Sequence, residues 1–245
     1  MTDMRKVKSF KSALYAVFTV LFLCLNACDD GDEYSMNKAW YSIATVNPLN
    51  DNGMYSLTLD NGTTLWPAAT DVPWYNPKHK RRAIAVYTIL SDKFQGYDHA
   101  VKILDIQNVL TKAAAKDLGE KNDEEYGNDP VKILNMWIGD GYLNVEFGFY
   151  NGGMGVSHYI NLVKTDRADT PYYFEFRHNA YGDATVYARK GIVAFDLSDI
   201  HGEEEVELTV KVNTFEGELI KKVAFKPASA EKVHVGTEKY DADIK

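Results

Sequence analysis

Short runs in which apolar and polar residues alternate dominate the chain between about residues 39 and 227. The clearest is Val-Glu-Leu-Thr-Val-Lys-Val at 206–212, where every second residue is apolar. Alternation of this kind buries one face of a β-strand and leaves the other face in water. Helical periodicity is nearly absent, so the pattern predicts an all-β protein.

The first group of runs predicts a β domain over residues 39–110. Asp60-Asn61-Gly62 predicts a type I′ hairpin turn, in which both central residues have positive φ. The stretch 67–77 is rich in proline, which argues against a central strand there. Three strands, an irregular crossing and two more strands predict a small five-stranded barrel of the OB type. The predicted strands are 40–46, 54–59, 63–66, 82–90 and 99–106.

Residues 111–130 break the alternation and predict a linker or a short helix, with the alanine-rich residues 113–116 as the helical candidates. The β pattern then returns over 131–227, and about seven strands of this length predict a β-sandwich. Residues 228–245 are expected to be a frayed polar tail. The predicted sandwich strands are 133–138, 142–150, 156–163, 172–177, 185–195, 206–212 and a last strand that ends near 225.

Residues 1–27 have the features of a bacterial export signal. Four basic residues precede the nearly uncharged run 13–25, which is shorter than the ~20 residues that a membrane-spanning helix needs. Leu25-Asn26-Ala27-Cys28 resembles a lipobox, which predicts cleavage before Cys28 and a covalent lipid on its thiol. The alternatives are an ordinary signal peptide that contains a cysteine and a buried N-terminal helix.

Residues 28–38 form an acidic tether, with Asp29, Asp30, Asp32 and Glu33 just after the cysteine. Such acids resemble the surface-export signal of Bacteroidota lipoproteins, although a plain solvated spacer has the same composition. In enterobacteria, an Asp directly after the cysteine would instead indicate retention in the inner membrane. We expect a lipoprotein of the outer membrane, and the sequence leaves the periplasmic and surface leaflets open.

Removal of the signal changes the chemistry of the remaining chain. Cys24 would leave with the signal and Cys28 would carry lipid, which excludes a catalytic cysteine, a disulfide and a zinc site built on cysteine. The signal holds four basic residues and one acid, so the formal net charge becomes more negative than −8. Acidic proteins are repelled by phosphate backbones, and we expect no nucleic-acid partner. The basic cluster 78–82 is therefore interpreted as a solvated loop before a strand.

The lipobox, the OB-like first domain and the seven-strand second domain together resemble the NigD-like lipoproteins of Bacteroidota. Residues 128–133, 137–140 and 142–147 are similar to the start of that family's C-terminal sandwich, and Phe-Arg-His-Asn-Ala at 176–180 is similar to its middle. The family takes its name from an operon linked to bacteriocin production, and it has no agreed activity or catalytic residues. The resemblance implies the two-domain architecture and the location of a lipoprotein in the cell envelope. It identifies no functional residue in this chain.

Motifs for catalysis or metal binding are weak. The histidines are scattered singly, and Ser157 and His158 are neighbours in a predicted strand, so their side chains would point to opposite faces. The glycines at 152–155 lack the residues of a phosphate loop and predict a hairpin. The oxygen-rich stretches 50–53 and 122–125 allow calcium but match no EF-hand, and are otherwise a turn and a linker. We expect no metal site and no cofactor. The six histidines are His79, His99, His158, His178, His201 and His234.

Trp66, Trp74 and Tyr75 are the candidate ligand-binding residues, because aromatic rings beside the proline-rich crossing suit a sugar or an extended peptide. The alternative is that Trp66 and Trp74 only close and cover the barrel core. The sequence favours a binding or assembly module with a protein or glycan partner and no catalytic activity. A protective, immunity-like role against a secreted toxin is the second hypothesis, and an envelope hydrolase is the third.

Overall fold

A computed structural model describes residues 38–153, 155–165 and 167–227. The predicted signal 1–27, the lipidation site Cys28 and the tail 228–245 lie outside the described residues. None of the helices in the described part of the chain is long and apolar enough to cross a membrane.

The first five strands close into a barrel, as the sequence predicts. Around the barrel they follow the order β1-β2-β3-β5-β4. Their inward side chains form one apolar core that includes Val46, Leu57, Leu65, Val101 and Ile103. The strands are β1 (Trp40–Pro48), β2 (Tyr55–Leu59), β3 (Thr64–Thr70), β4 (Arg81–Phe94) and β5 (Tyr97–Asn108).

Two local predictions in the barrel are wrong. Strand β3 runs through Pro67, where its parallel pairing with β5 shifts register between Pro67 and Ala69. A bulge of this kind tolerates a residue that has no N–H to donate. In the β2–β3 hairpin only Gly62 has a positive φ, of 87°, so the connection is a three-residue loop instead of a type I′ turn. The type I′ pattern of two positive φ values occurs at Asp140 and Gly141.

The second domain is a sandwich of two sheets. The seven predicted strands are present, and two short strands, β6 and β7, extend the sheets. The sheet orders are β14-β13-β11-β10-β7 and β6-β12-β9-β8. The strands are β6 (Leu110–Ala113), β7 (Ala115–Lys116), β8 (Lys132–Gly139), β9 (Tyr142–Asn151), β10 (Tyr159–Thr165), β11 (Tyr173–Asn179), β12 (Tyr187–Asp196), β13 (Val206–Thr214) and β14 (Gly217–Phe225).

Residues 113–116 are not helical, in contrast to the prediction. Strand β6 pairs in parallel with β12, and β7 pairs in parallel with β10. Alanine favours a helix by less than about 1 kcal/mol per residue, which sheet pairing readily outweighs. A short helix, α1 (Asn122–Tyr126), follows a 3₁₀ turn at Gly119–Lys121 instead. It lies on the outer face of the five-stranded sheet, where Asp123 pairs with the buried Arg177.

The barrel packs on the outer face of the four-stranded sheet. Val109, Tyr142 and Ala194 form a small buried cluster there, together with the partly buried Ile84 and Ile192. Asn144 lies on the same face as Tyr142, because it is two residues further along β9, and it is fully buried. The end of the sandwich that carries the β8–β9 turn is therefore covered by the barrel, and we call it the proximal end.

A charged group anchors this contact. Arg82 is fully buried and donates to Thr45 Oγ1 at 2.9 Å and to Asp60. Its guanidinium carbon lies 5.4 Å from the ring centroid of Tyr142, across the domain contact. Asp60 also accepts a hydrogen bond of 2.7 Å from Trp137 Nε1 in the sandwich. The interpretation of 78–82 as a solvated loop is therefore wrong for Arg82, which is buried because the sandwich covers it.

The opposite, distal end of the sandwich is formed by four connections. They are the segment before β8 (127–131), the β9–β10 loop (described at 152–153 and 155–158), the β11–β12 loop (180–186) and the β13–β14 turn (215–216).

Candidate functional site

Trp66 and Trp74, two of the three predicted ligand-binding residues, have different surroundings. Trp66 is half-buried beneath the β4–β5 hairpin, with its ring stacked on Phe94 at 6.5 Å and tilted against Tyr97 at 5.2 Å. Trp74 projects from the crossing loop and is 76% exposed.

Tyr75 is partly buried and packs against the barrel core. Its ring meets Tyr55 edge-on at 5.4 Å, and its hydroxyl donates to Asn108 Oδ1 at 2.8 Å. Burial raises the pKa of Tyr75 to about 12, so the phenol is neutral at physiological pH. Among the described residues no ring contact joins Trp66, Trp74 and Tyr75 to one another. A shared ligand site on these three residues stays a prediction.

The two oxygen-rich stretches considered for calcium use their side chains to shape local backbone. Asn50 Oδ1 accepts from the backbone N–H groups of Asn52 and Met54. Asn122 accepts from the N–H of Leu118 and donates to Asp117. In the described part of the chain, no group of three or more His, Cys, Asp or Glu side chains is arranged to hold a metal ion.

The distal end instead brings together two histidines that lie far apart in the sequence. His158 Nδ1 is 2.8 Å from His178 Nε2, and the two rings are tilted by 34° with centroids 5.0 Å apart. Phe149 packs against both rings, at 5.0 Å from His158 and 5.9 Å from His178. The pair is almost completely buried, since the His158 side chain is 6% exposed and His178 is 3% exposed.

Asp183 continues this chain of hydrogen bonds. Its Oδ2 lies 3.2 Å from His158 Nε2 and accepts from the N–H of Gly152 at 2.9 Å. The N–H of Gly152 holds the pKa of Asp183 below its usual range, with further help from His158. One carboxylate therefore joins the β9–β10 loop to the β11–β12 loop.

Asp129 ties the segment before β8 to the same loops. Its Oδ2 accepts from the N–H of Ala180 at 2.7 Å, and its own N–H donates to the carbonyl of His178 at 2.8 Å. Gly127 packs so tightly that a Cβ atom there would lie 2.5 Å from Asn179 Cβ, and its φ of 73° also favours glycine. Three of the four distal connections are thus fixed to one another.

Apolar side chains surround these fixed loops and point into solvent. Each of six large apolar residues in or beside the distal loops is between 41% and 61% exposed. Two of them, Tyr150 and Phe215, touch edge-on at 5.4 Å, which joins β9 to the β13–β14 turn. We call this set the distal surface. It consists of Tyr150, Val156, Tyr181, Val186, Tyr187 and Phe215.

Among the described residues of this loop, Ser157 is not placed to act as a nucleophile next to the histidines. Ser157 and His158 lie in the loop before β10, not in a strand as predicted, because β10 begins at Tyr159. Ser157 is exposed, whereas His158 turns inward to His178 and Asp183. The geometry suits a proton shared along the hydrogen bonds from His178 through His158 to Asp183. These bonds also hold the loops beneath the distal surface in place.

Sequence reasoning missed this cluster because its members are separated by 20 and 25 positions. They meet because β10 and β11 pair in antiparallel fashion, with Ile160 opposite His178. The available signal was that His158 lies near the start of one predicted strand and His178 directly follows the next, and that consecutive strands often pair as neighbours.

Comparison with protein families gives a clear result. Residues 43–109 match the NigD-like N-terminal OB domain, and residues 114–226 match the NigD-like C-terminal beta sandwich domain.

The chain belongs to the NigD-like family.

Solved structures agree with this assignment. A protein from Parabacteroides distasonis described as toxin-related is 45% identical, with 77% of this chain and 94% of that chain covered at a TM-score of 0.71. A NigD-like immunity protein from Bacteroides caccae is 19% identical, with 79% and 100% covered at a TM-score of 0.62. A protein from Bacteroides fragilis described as a lipoprotein is 13% identical, with 78% and 100% covered at 0.55. The last two structures show only that the fold is shared. A search of curated proteins found no match to this NigD-like chain.

Proposed function

We propose that this NigD-like protein is a lipid-anchored protein of the bacterial envelope that binds a partner protein through the distal surface and catalyses no reaction. The observation that carries the proposal is the set of exposed aromatic side chains in or beside the distal loops, three of which are held together by hydrogen bonds. The outer-membrane address rests on the predicted signal, the lipidation of Cys28 and the acidic tether 28–38.

The chemistry of the distal surface favours a protein partner. Three of its six residues are tyrosines and one is a phenylalanine, and aromatic side chains are enriched at the centres of protein interfaces. Tyrosine supplies a large contact area with few rotatable bonds, so its entropy cost on binding is low. Exposed apolar groups that cluster at one end of a domain are typical of interaction sites.

The rigidity of the loops supports binding as well. Binding costs free energy whenever a loop must be ordered. Here Asp183 and Asp129 already fix the β9–β10 and β11–β12 loops and the segment before β8. Partner binding would therefore order few additional degrees of freedom.

Site-specific photo-crosslinking in living cells tests the proposal. A photoreactive phenylalanine analogue replaces Tyr187 in the full chain, and products are separated from the envelope and identified by mass spectrometry. We expect one reproducible protein product. Ile220 on β14 is the matched control, because it is exposed to a similar degree but lies outside the distal surface, and we expect no product from that position.

The same experiment separates the proposal from its alternatives. A product from Trp74 and none from Tyr187 would overturn the distal site in favour of the predicted barrel aromatics. Absence of a protein product from both positions, in cells that display the full-length protein, would contradict a protein partner and favour a glycan.

The second candidate function is protection against a secreted toxin. It is favoured by the description of the 45%-identical relative as toxin-related. In that case the partner would be the toxin itself. A deletion strain should become sensitive to the spent medium of its own parent strain, and the wild-type gene should restore resistance. A gene with Tyr181→Ser and Tyr187→Ser should not restore it, whereas equal survival of deletion and parent strains would contradict protection.

A further inference from the structure

The two buried histidines share one hydrogen bond, which limits how many additional protons the pair can take up beyond the neutral state. Because His158 Nδ1 and His178 Nε2 are 2.8 Å apart, one of these nitrogens donates and the other accepts. His158 Nε2 faces the carboxylate of Asp183 and donates to it. These roles are satisfied when both rings are neutral, with His178 as donor, or when His158 alone is a cation and donates to both partners.

A second positive charge does not fit this geometry. If both rings were cations, Nδ1 of His158 and Nε2 of His178 would each carry a proton and point at each other across 2.8 Å. The rings would have to separate, and Phe149, which contacts both, offers no acceptor in their place.

We propose that the His158–His178 pair is a single-proton latch, in which a second protonation separates the two rings and loosens the loops that carry the distal surface. The loosening follows from the position of His158, which is the link between β11 and Asp183, and of Asp183, which is the link to Gly152. The regulatory meaning of the latch rests on the proposed function of the distal surface. The proton limit itself rests only on the contacts.

The charges around the pair set the direction of its pH dependence. Burial and the neighbouring His158 lower the pKa of His178, and the carboxylate and backbone of Asp129 and the backbone of Pro130 oppose this shift. Asp183 faces the pair from the β11–β12 loop, and Phe149 on β9 brings no charge. An imidazole with a lowered pKa contributes stability above about pH 6.5 that is lost as the pH falls. Asp183, whose pKa is lowered from its ordinary value of 3.8, loses its contribution only in more acidic solution than this.

Hydrogen exchange of the full chain, read by mass spectrometry between about pH 7.5 and pH 5, tests the latch. After correction for the intrinsic pH dependence of exchange, we expect peptides over 155–165 and 179–186 to exchange several-fold faster at the acidic end. Peptides over β13 and β14 serve as the internal reference and should keep their protection.

Two variants identify the responsible group. His178→Phe keeps an aromatic ring in the pocket and removes the second proton site. The acid-induced increase in exchange of the distal peptides, which we call the step, should therefore disappear. His99→Gln is the matched control, because His99 lies on β5 of the barrel, with its Nδ1 2.6 Å from Asp92 Oδ1, and the acid-induced increase in exchange should persist. Should His178→Phe not fold, nitrogen NMR of the wild-type imidazoles replaces it. The two rings should then show a shared proton at neutral pH and no doubly charged state before the loops open.

Each outcome decides the latch separately from the proposed function, because exchange is measured without a partner. A wild-type protein with no step, a step that survives His178→Phe, or two rings that titrate independently would overturn the latch and leave the binding proposal standing. A normal step with no crosslinked product from Tyr187 would support the latch and overturn the binding proposal.

Discussion

The proximal and distal ends of the sandwich both use polar side chains to hold separate segments together, but the side chains differ. At the proximal end the barrel covers the sheet, and a permanently charged guanidinium, Arg82, is buried against Asp60 and Tyr142. At the distal end no domain covers the loops in the described part of the chain, and two titratable imidazoles and Asp183 join them. Arginine keeps its charge at physiological pH, whereas the charge of an imidazole can change between about pH 5 and pH 8. We infer that the proximal end fixes the contact between the domains, and we propose that the distal end is available for interaction.

Arg82→Met should produce the largest loss of stability, because it leaves Asp60 without its main charged partner in the domain contact. We expect a loss of about 3 kcal/mol in the free energy of unfolding, the lower end of the range for a broken buried pair because Asp60 is partly exposed. Urea denaturation measures this value. Lys222→Met, which breaks an exposed pair with Glu207, should change it by less than about 0.5 kcal/mol. Equal effects of the two substitutions would mean that Arg82 does not anchor the domains.

Gly139→Ala should have the next largest effect. A Cβ atom at Gly139 would lie 2.1 Å from Asp60 Cγ, so the carboxylate would have to leave Arg82 and Trp137. We expect a cost of about 2 kcal/mol from this overpacking, measured by thermal and urea unfolding. Gly148→Ala is the control on β9, where the nearest atom would be 3.7 Å away, and its stability should be nearly unchanged.

Trp137→Phe removes one hydrogen bond to a carboxylate and keeps most of the ring. The lost bond, 2.7 Å from Nε1 to Asp60 Oδ2, predicts a cost of about 1.5 kcal/mol. Trp74→Phe changes an exposed ring and should leave the urea midpoint where it is. If both substitutions shift the midpoint equally, the domain contact does not depend on this bond.

Tyr181→Ser together with Tyr187→Ser should have the smallest effect on folding. Both rings are more than half exposed, so we expect a change in unfolding free energy within about 0.5 kcal/mol. Urea denaturation at neutral pH tests this expectation. A loss comparable to that of Gly139→Ala would show that the distal surface is part of the fold and not a free surface.

The sequence predicts most of the fold because each long strand shows its own alternation of apolar and polar residues. The alternation at 206–212 lies entirely within β13, and the barrel strands follow from equally local signals. Strands β6 and β7 were missed because their partners are distant in the sequence. Leu110, for example, pairs with Val193. No property of 110–116 alone specifies that pairing, and its alanines suggest a helix instead.

The candidate site could be predicted only in part, for the same reason. Exposed tyrosines such as Tyr181 and Tyr187 are visible in the sequence but are indistinguishable there from the buried Tyr142 or Tyr173. The His158–His178 contact depends on strand register, which fixes which residues face each other. The lipidation of Cys28, by contrast, is a prediction from four consecutive residues that needs no tertiary information.

The most direct test of the contrast between the two ends is the yield of crosslinked partner from a photoreactive residue at position 215. This yield, divided by the amount of folded protein, would be compared in the wild type, in Gly139→Ala and in Tyr181→Ser/Tyr187→Ser. We predict an unchanged yield for Gly139→Ala despite its lower stability, and at least about a tenfold loss for the double tyrosine variant despite its normal stability. A yield that follows stability in all three proteins, or one that survives loss of both tyrosines, would contradict the assignment of binding to the distal end.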